Sequence, residues 1–140
     1  MERGITWVTR RGIKVDRMAS AWLIRRFIDP EARFKFVEAK GYVPEPAERR
    51  FDMFDAEYTH EGDACTFEVL VRRFRLADPA LVPLAEIVHD IDLKDGRYGR
   101  AEAAGVALQI QGIAAGTDDD EERMRQSSSM FEALLRALAQ

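Results

Sequence analysis

The opening 38 residues constrain the fold more than any other stretch. Ile5 to Arg10 (Ile-Thr-Trp-Val-Thr-Arg) is β-branched and aromatic with partial alternation, which predicts a strand. Arg11-Gly12 makes a turn, and Asp16 to Ile28 reads as a helix ended by Asp29-Pro30. Arg33 to Glu38 (Arg-Phe-Lys-Phe-Val-Glu) begins by alternating and predicts a second strand. Strand, helix, strand at this spacing implies a parallel βαβ unit, because parallel strands need a long crossover and a helix is the usual one.

Further along, Lys40 to Arg50 carries Gly41, Pro44 and Pro46 and reads as a loop; Phe51 to Phe54 is expected to add a third short strand. The rest is helical. Thr66 to about Leu76 has the stripe Phe67, Leu70, Val71 and Phe74. A second helix follows Asp78-Pro79, with Asp78 as N-cap, and runs to about Leu93. Ala103 to Gly116 is the next, and a last one is capped by Thr117 and ends near Ala139. The expected class is α+β: a small sheet of two to four strands against about five helices, with an all-helical C-terminal half. A length of 140 residues favours a single domain, residues 1–140.

Composition narrows the function classes. No apolar run approaches the ~20 residues of a membrane span, and no signal peptide is read at the start. One cysteine excludes an internal disulfide framework and a multi-cysteine zinc site, and it suits a reducing cytoplasm, the expected location. The net charge of −4 is uneven: residues 1–50 hold 12 Lys/Arg against 7 Asp/Glu, the remainder 9 against 18. The two halves therefore attract each other within one fold, or the basic part attracts an anion. Asp118 to Glu122 lacks the alternation and glycine of an EF-hand loop; five carboxylates there complement a helix N-terminus.

Both histidines sit in polar knots. Glu57, His60, Cys65 and Glu68 fall within twelve residues, and His89 opens His-Asp-Ile-Asp-Leu-Lys-Asp. Imidazole with carboxylate suits divalent transition metals. On the second helix Leu81, Leu84, Val88 and Ile91 form the apolar stripe. At ~100° per residue Asp92 falls about 20° from Leu81, inside that stripe, and His89 on its border. Asp90 points the other way. A carboxylate on a buried face costs several kcal/mol unless paired or metal-bound. The spacing is weaker than His-Glu-x-x-His, and an ion pair with an arginine such as Arg25 would satisfy Asp92 equally well. Cys65, near a helix start, is a further ligand, a thiolate, or a small buried residue. Arg25 falls on the arc of Met18 and Trp22, where it snorkels, pairs with a carboxylate, or binds an anion. No serine-hydrolase elbow and no Gly-rich phosphate loop is present.

Trp7-Val8-Thr9-Arg10, Val15-Asp16-Arg17 and Ala21-Trp22-Leu23-Ile24-Arg25-Arg26-Phe27-Ile28-Asp29-Pro30 resemble the C-terminal domain of the chromate-resistance regulator ChrB. His60-Glu61-Gly62, Cys65-Thr66-Phe67-Glu68, Asp78-Pro79-Ala80-Leu81 and the run Ile87 to Gly96 fit the same family. The resemblance covers nearly the whole chain, in a stand-alone form. It implies a role linked to chromate or metal stress. Full-length regulators carry an N-terminal region associated with transcriptional control, which these motifs do not include, so direct nucleic-acid binding is not expected here. Members often have Cys-Pro where this chain has Ser20-Ala21, so a thiol role there does not carry over.

The expected function is a cytoplasmic metal- or oxyanion-binding domain. Its metal ligands are Glu57, His60, His89, Asp92 and Glu68, with Cys65 as a metal or thiol candidate. Arg10, Arg17 and Arg25 bind an anion such as chromate or support the metal ligands. The ion is a divalent metal: zinc, iron or manganese. The competing classes are a hydrolytic or redox enzyme using the same site, and a structural module, for example a homodimer through the last helix.

Overall fold

The computed structural model describes residues 3–140. Three strands, β1 (Thr6–Arg10), β2 (Arg33–Val37) and β3 (Arg49–Arg50), form one parallel sheet in the order β2-β1-β3. Five helices accompany it: α1 (Val15–Leu23), α2 (Thr66–Arg73), α3 (Leu81–Leu93), α4 (Ala103–Gly116) and α5 (Asp120–Leu138). The α+β class and the initial parallel βαβ unit are as the sequence implies. Trp7 and Val8 of β1 are buried, and the core continues through Met18, Leu23, Phe67, Leu84 and Phe131.

Several boundaries differ from the sequence reading. The first helix does not stay α-helical to Ile28; Ile24–Ile28 is a π-helical turn. Arg25, the second residue of that turn, is exposed, although it lines one groove with Trp22. Its Nη2 donates to Ala32 O at 2.7 Å, and its guanidinium lies over the Phe34 ring. Asp29 closes the turn by accepting from Gly4 N, Ile5 N and Trp7 Nε1. The third strand is Arg49–Arg50 rather than Phe51 to Phe54; Phe51 follows it, its N–H donating to Val8 O of β1 and an isolated bridge pairing it with Tyr58. Asp119, not Thr117, caps α5, accepting from Glu121 N. Thr117 Oγ1 instead accepts from Asp119 N.

The loop between β1 and α1 is held from two sides. Gly12 takes a left-handed φ of 77°, which turns the chain, and the backbone N–H groups of Gly12 and Ile13 donate to Asp120 at the start of α5. The buried Arg123 donates to the carbonyls of Ile13, Ala114 and Thr117. This clamp sets the direction in which α1 leaves the sheet, and so where Asp16 is presented. No helix among the described residues is long and apolar enough to cross a membrane.

Candidate metal centre

In an open parallel sheet, the crevice beyond the carboxyl ends of neighbouring strands is where chemistry collects, at the point where chain order reverses. Here that point lies between β1 and β3. β1 leads into Asp16, and β3 is followed by Asp52; Thr9 Oγ1 ties the two strands by donating to Phe51 O at 2.6 Å. Asp16 is almost fully buried, its two oxygens accepting from the N–H groups of Thr66 and Phe67 at 2.9 and 3.0 Å. The carboxylate thereby caps α2, whose N-terminus favours negative charge.

His60 and Asp92 converge on the same place. His60 Nε2 lies 3.3 Å from Asp16 Oδ2 and 3.1 Å from Asp92 Oδ2. One potential ligand atom from each of the three residues lies within 4.8 Å of the other two. Asp52 stands next to them, buried and in left-handed backbone (φ 48°), a conformation aspartate tolerates better than most residues. Arg17 edges the group, its Nε donating to Asp52 O at 3.0 Å.

The electrostatics are those of crowded carboxylates. Burial, and then the charge of Asp16, push the Asp52 carboxyl up to about 6 against the pull of Arg17 and His60. Burial and Asp16 likewise raise Asp92. His60 is raised from the usual 6.5 to about 9, chiefly by its hydrogen bond with Asp16; burial opposes this, and the bond to Asp92 reinforces it. In metal-free protein the stability from these pairs is therefore complete below pH 6.5 and lost as pH climbs through about 9. Urea midpoints of chelator-treated wild type and His60→Gln are expected to differ most near neutral pH and to converge above the raised value. A difference that stays constant across that window would contradict the pairing. The ring is nearly half exposed, so the effect is modest.

The donor geometry accommodates a cation. Nitrogen and oxygen ligands at ~2.1 Å and 90–109° stand about 3.0–3.4 Å apart. The separations from His60 Nε2 to the two carboxylates, 3.1 and 3.3 Å, fall in that range. An ion there would take the place of the His60 proton and relieve the repulsion among the aspartates.

His89 belongs to a separate cluster. It is fully buried; Nδ1 meets Glu68 Oε1 at 2.6 Å and Nε2 meets Asp95 Oδ2 at 2.9 Å. Both nitrogens face acceptors, so the ring donates at both as an imidazolium. Burial lowers its pKa, but the bonds to Glu68 and Asp95 outweigh it and the net shift is upward. Glu68 Oε1 also accepts from Cys65 N, which links the pair to the start of α2.

The structure thus brings together His60 and Asp92, and groups His89 with Glu68. Glu57 lies with neither: it pairs with Arg50, at 2.9 Å to Nε and 3.1 Å to the backbone N. Cys65 is buried, and burial followed by the Asp16 charge pushes its thiol up, away from the thiolate that a helix start alone would favour. The arginines do not converge. Arg10 is exposed at the end of β1, Arg17 serves Asp52, and Arg25 serves Ala32. Asp90 is not idle, since its oxygens accept from Tyr98 N and Arg100 N. Sequence reasoning missed Asp16 and Asp52. Asp16 had a usable signal, its place just after the first strand of a βαβ unit. Asp52 had none without the register of β3.

The chain matches the family described as ChrB, C-terminal domain, over residues 7–138. It belongs to that family. The match takes in Asp16, Asp52, His60 and Asp92 together. A curated relative, Protein ChrB of Cupriavidus metallidurans, is 37% identical over 133 residues, which is 94% of this chain and 40% of that protein. The chain therefore spans well under half the length of the curated relative it matches. No solved structure matches it. Membership of the ChrB family links the chain to chromate resistance.

Proposed function

We propose that this domain binds a divalent first-row metal through Asp16, His60 and Asp92, with Asp52 as a further oxygen donor, in a chromate-resistance role. The observation that carries the reading is the convergence of one imidazole nitrogen and two carboxylates from α1, the loop before α2, and α3. Three aspartates against one arginine favour a cation over an oxyanion at this point. An oxygen-rich set with one imidazole suits manganese, iron or zinc better than copper(I), which prefers thiolate and thioether. When bound, such an ion would act as a Lewis acid or hold a water at neutral pH.

The protein's own residues prepare the site. Asp16 is fixed by two backbone N–H groups and needs no reordering. Asp92 is carried on a helix whose far end is held in the core. Arg17 holds Asp52 through its carbonyl. Full-length activity and cellular partners, including chromate or another oxyanion, follow from the family link as proposals.

Calorimetric titration with manganese(II) and zinc(II) tests the ligand set. Asp92→Asn is expected to weaken binding at least about tenfold, the usual scale for losing a ligand or its support. Asp90→Asn is expected to leave affinity unchanged while lowering thermal stability, because it loosens the turn at Tyr98 and Arg100. Equal loss of affinity in both variants would contradict the assignment.

A further inference from the structure

A groove of about 450 Å³ opens between α5 and the π-helical turn that follows α1. Its lining is cationic: Arg25, Arg26 and Arg125 share it with one carboxylate, Glu132. Even with Glu122 counted, which pairs with Arg125, three positive charges stand against two negative. The π-helical turn supplies two consecutive arginines to this one groove, and such turns recur at functional sites.

Much of the donor capacity is unused. Arg25 donates through Nη2 to Ala32 O, Arg26 through Nε to Glu132, and Arg125 through Nε to Glu122. The other nitrogens of these three guanidiniums have no acceptor among the described residues. Contact with the Phe34 and Phe27 rings holds Arg25 and Arg26 in place. Ser128 and Ser129 line the same groove from the middle of α5, and their hydroxyls bond nothing among the described residues. Serine is a poorer helix former than alanine, so the helix itself does not account for the pair.

Surplus positive charge, guanidinium forks and free hydroxyls suit a tetrahedral oxyanion. Glu132 narrows the class. Its Oε1 accepts from Trp22 Nε1 and Arg26 Nε, while Oε2 has only a long contact with Arg26, at 3.4 Å. A carboxylate oxygen with free lone pairs repels a fully ionised oxyanion and accepts a hydrogen bond from one that keeps a proton. Sulfate has no proton near neutral pH; a phosphate group still carries one at about pH 6. We propose that this groove binds a hydrogenphosphate group, with the three arginines and two serines donating to its oxygens and Glu132 Oε2 accepting from its P–O–H. The group belongs to inorganic phosphate or to a phosphate monoester. None of these residues is a proposed metal ligand.

Inorganic phosphate, sulfate and phenyl phosphate serve as probes, titrated by calorimetry at low salt and about pH 6. The protein is kept in chelator, so that no bound metal takes the anion. Wild type is expected to bind phosphate at least about tenfold more tightly than sulfate. Glu132→Gln keeps an acceptor oxygen for Trp22 and Arg26, and it should bring the two anions within about threefold of each other. Ser128→Ala/Ser129→Ala should weaken phosphate about fivefold, the scale of a hydrogen bond or two. Its thermal stability should hold or rise, which separates lost binding from lost folding. Arg125→Gln should cost about threefold, as for an exposed charge. Phenyl phosphate binding more tightly than the free ion identifies an ester as the source, and binding more weakly identifies inorganic phosphate; either supports the groove. Equal affinity for phosphate and sulfate in wild type, unchanged phosphate binding in the serine variant, or no binding of millimolar phosphate would overturn the proposal. Failure of the metal reading alone leaves phosphate binding intact, and failure of the groove alone leaves metal stoichiometry intact.

Discussion

Replacing Asp16 with alanine is expected to destabilise the protein by about 3 kcal/mol and to remove its divalent-metal binding. The stability loss follows from two charge-assisted hydrogen bonds to Thr66 and Phe67, which cap α2 from 50 residues away. Removing the carboxylate leaves two N–H groups buried without acceptors, and it also deprives His60 of its largest partner. Asp16→Asn separates the two roles. An amide oxygen can accept from only one of the two α2 N–H groups and its NH2 faces the other, so part of the stability should survive, whereas a neutral ligand binds a divalent ion far less well. Thermal melts and metal titrations on the same two variants check this. If Asp16→Asn binds metal as wild type does, Asp16 is a helix cap alone.

The second large effect is expected at His89. His89→Leu should cost about 2–3 kcal/mol, since removing one member of a buried charged cluster strands the others. Glu68 would bear most of that loss. Asp95 is over a third exposed and rehydrates, which keeps the figure below that of a sealed pair. The metal affinity of this variant should stay within about threefold of wild type, because His89 shares no ligand position with His60. Denaturant midpoints and calorimetry read the two quantities. A large loss of metal with unchanged stability would reverse the roles given to the two histidines.

That separation of the histidines shows where sequence reading stops. The strand-helix-strand opening was legible because strand and helix periods are local and the crossover length admits few topologies. The position of Asp92 was legible for the same reason, since helical phase from Leu81 places it toward the interior. Phase alone did not show that Arg25 is exposed and bonded to Ala32 O, and nothing in Ile-Arg-Arg-Phe-Ile announces the π-helical turn that carries it. Which carboxylate meets which histidine depends on how α2 and α3 dock, which is tertiary information. Glu57 and Glu68 are both near His60 in sequence, yet one turns to Arg50 and the other to His89. Asp16 comes to His60 from 44 residues away, because the parallel sheet and the Arg123 clamp aim the start of α1 at the start of α2.

The most direct test of the central claim is elemental analysis of protein purified without a histidine tag, alongside the double variant Asp16→Asn/His60→Ala and the single variant His89→Leu. The account predicts close to one equivalent of manganese, iron or zinc in wild type and in His89→Leu, and almost none in the double variant. Stoichiometric metal in the double variant, or wild-type protein that neither retains nor takes up any of the three ions, would contradict it.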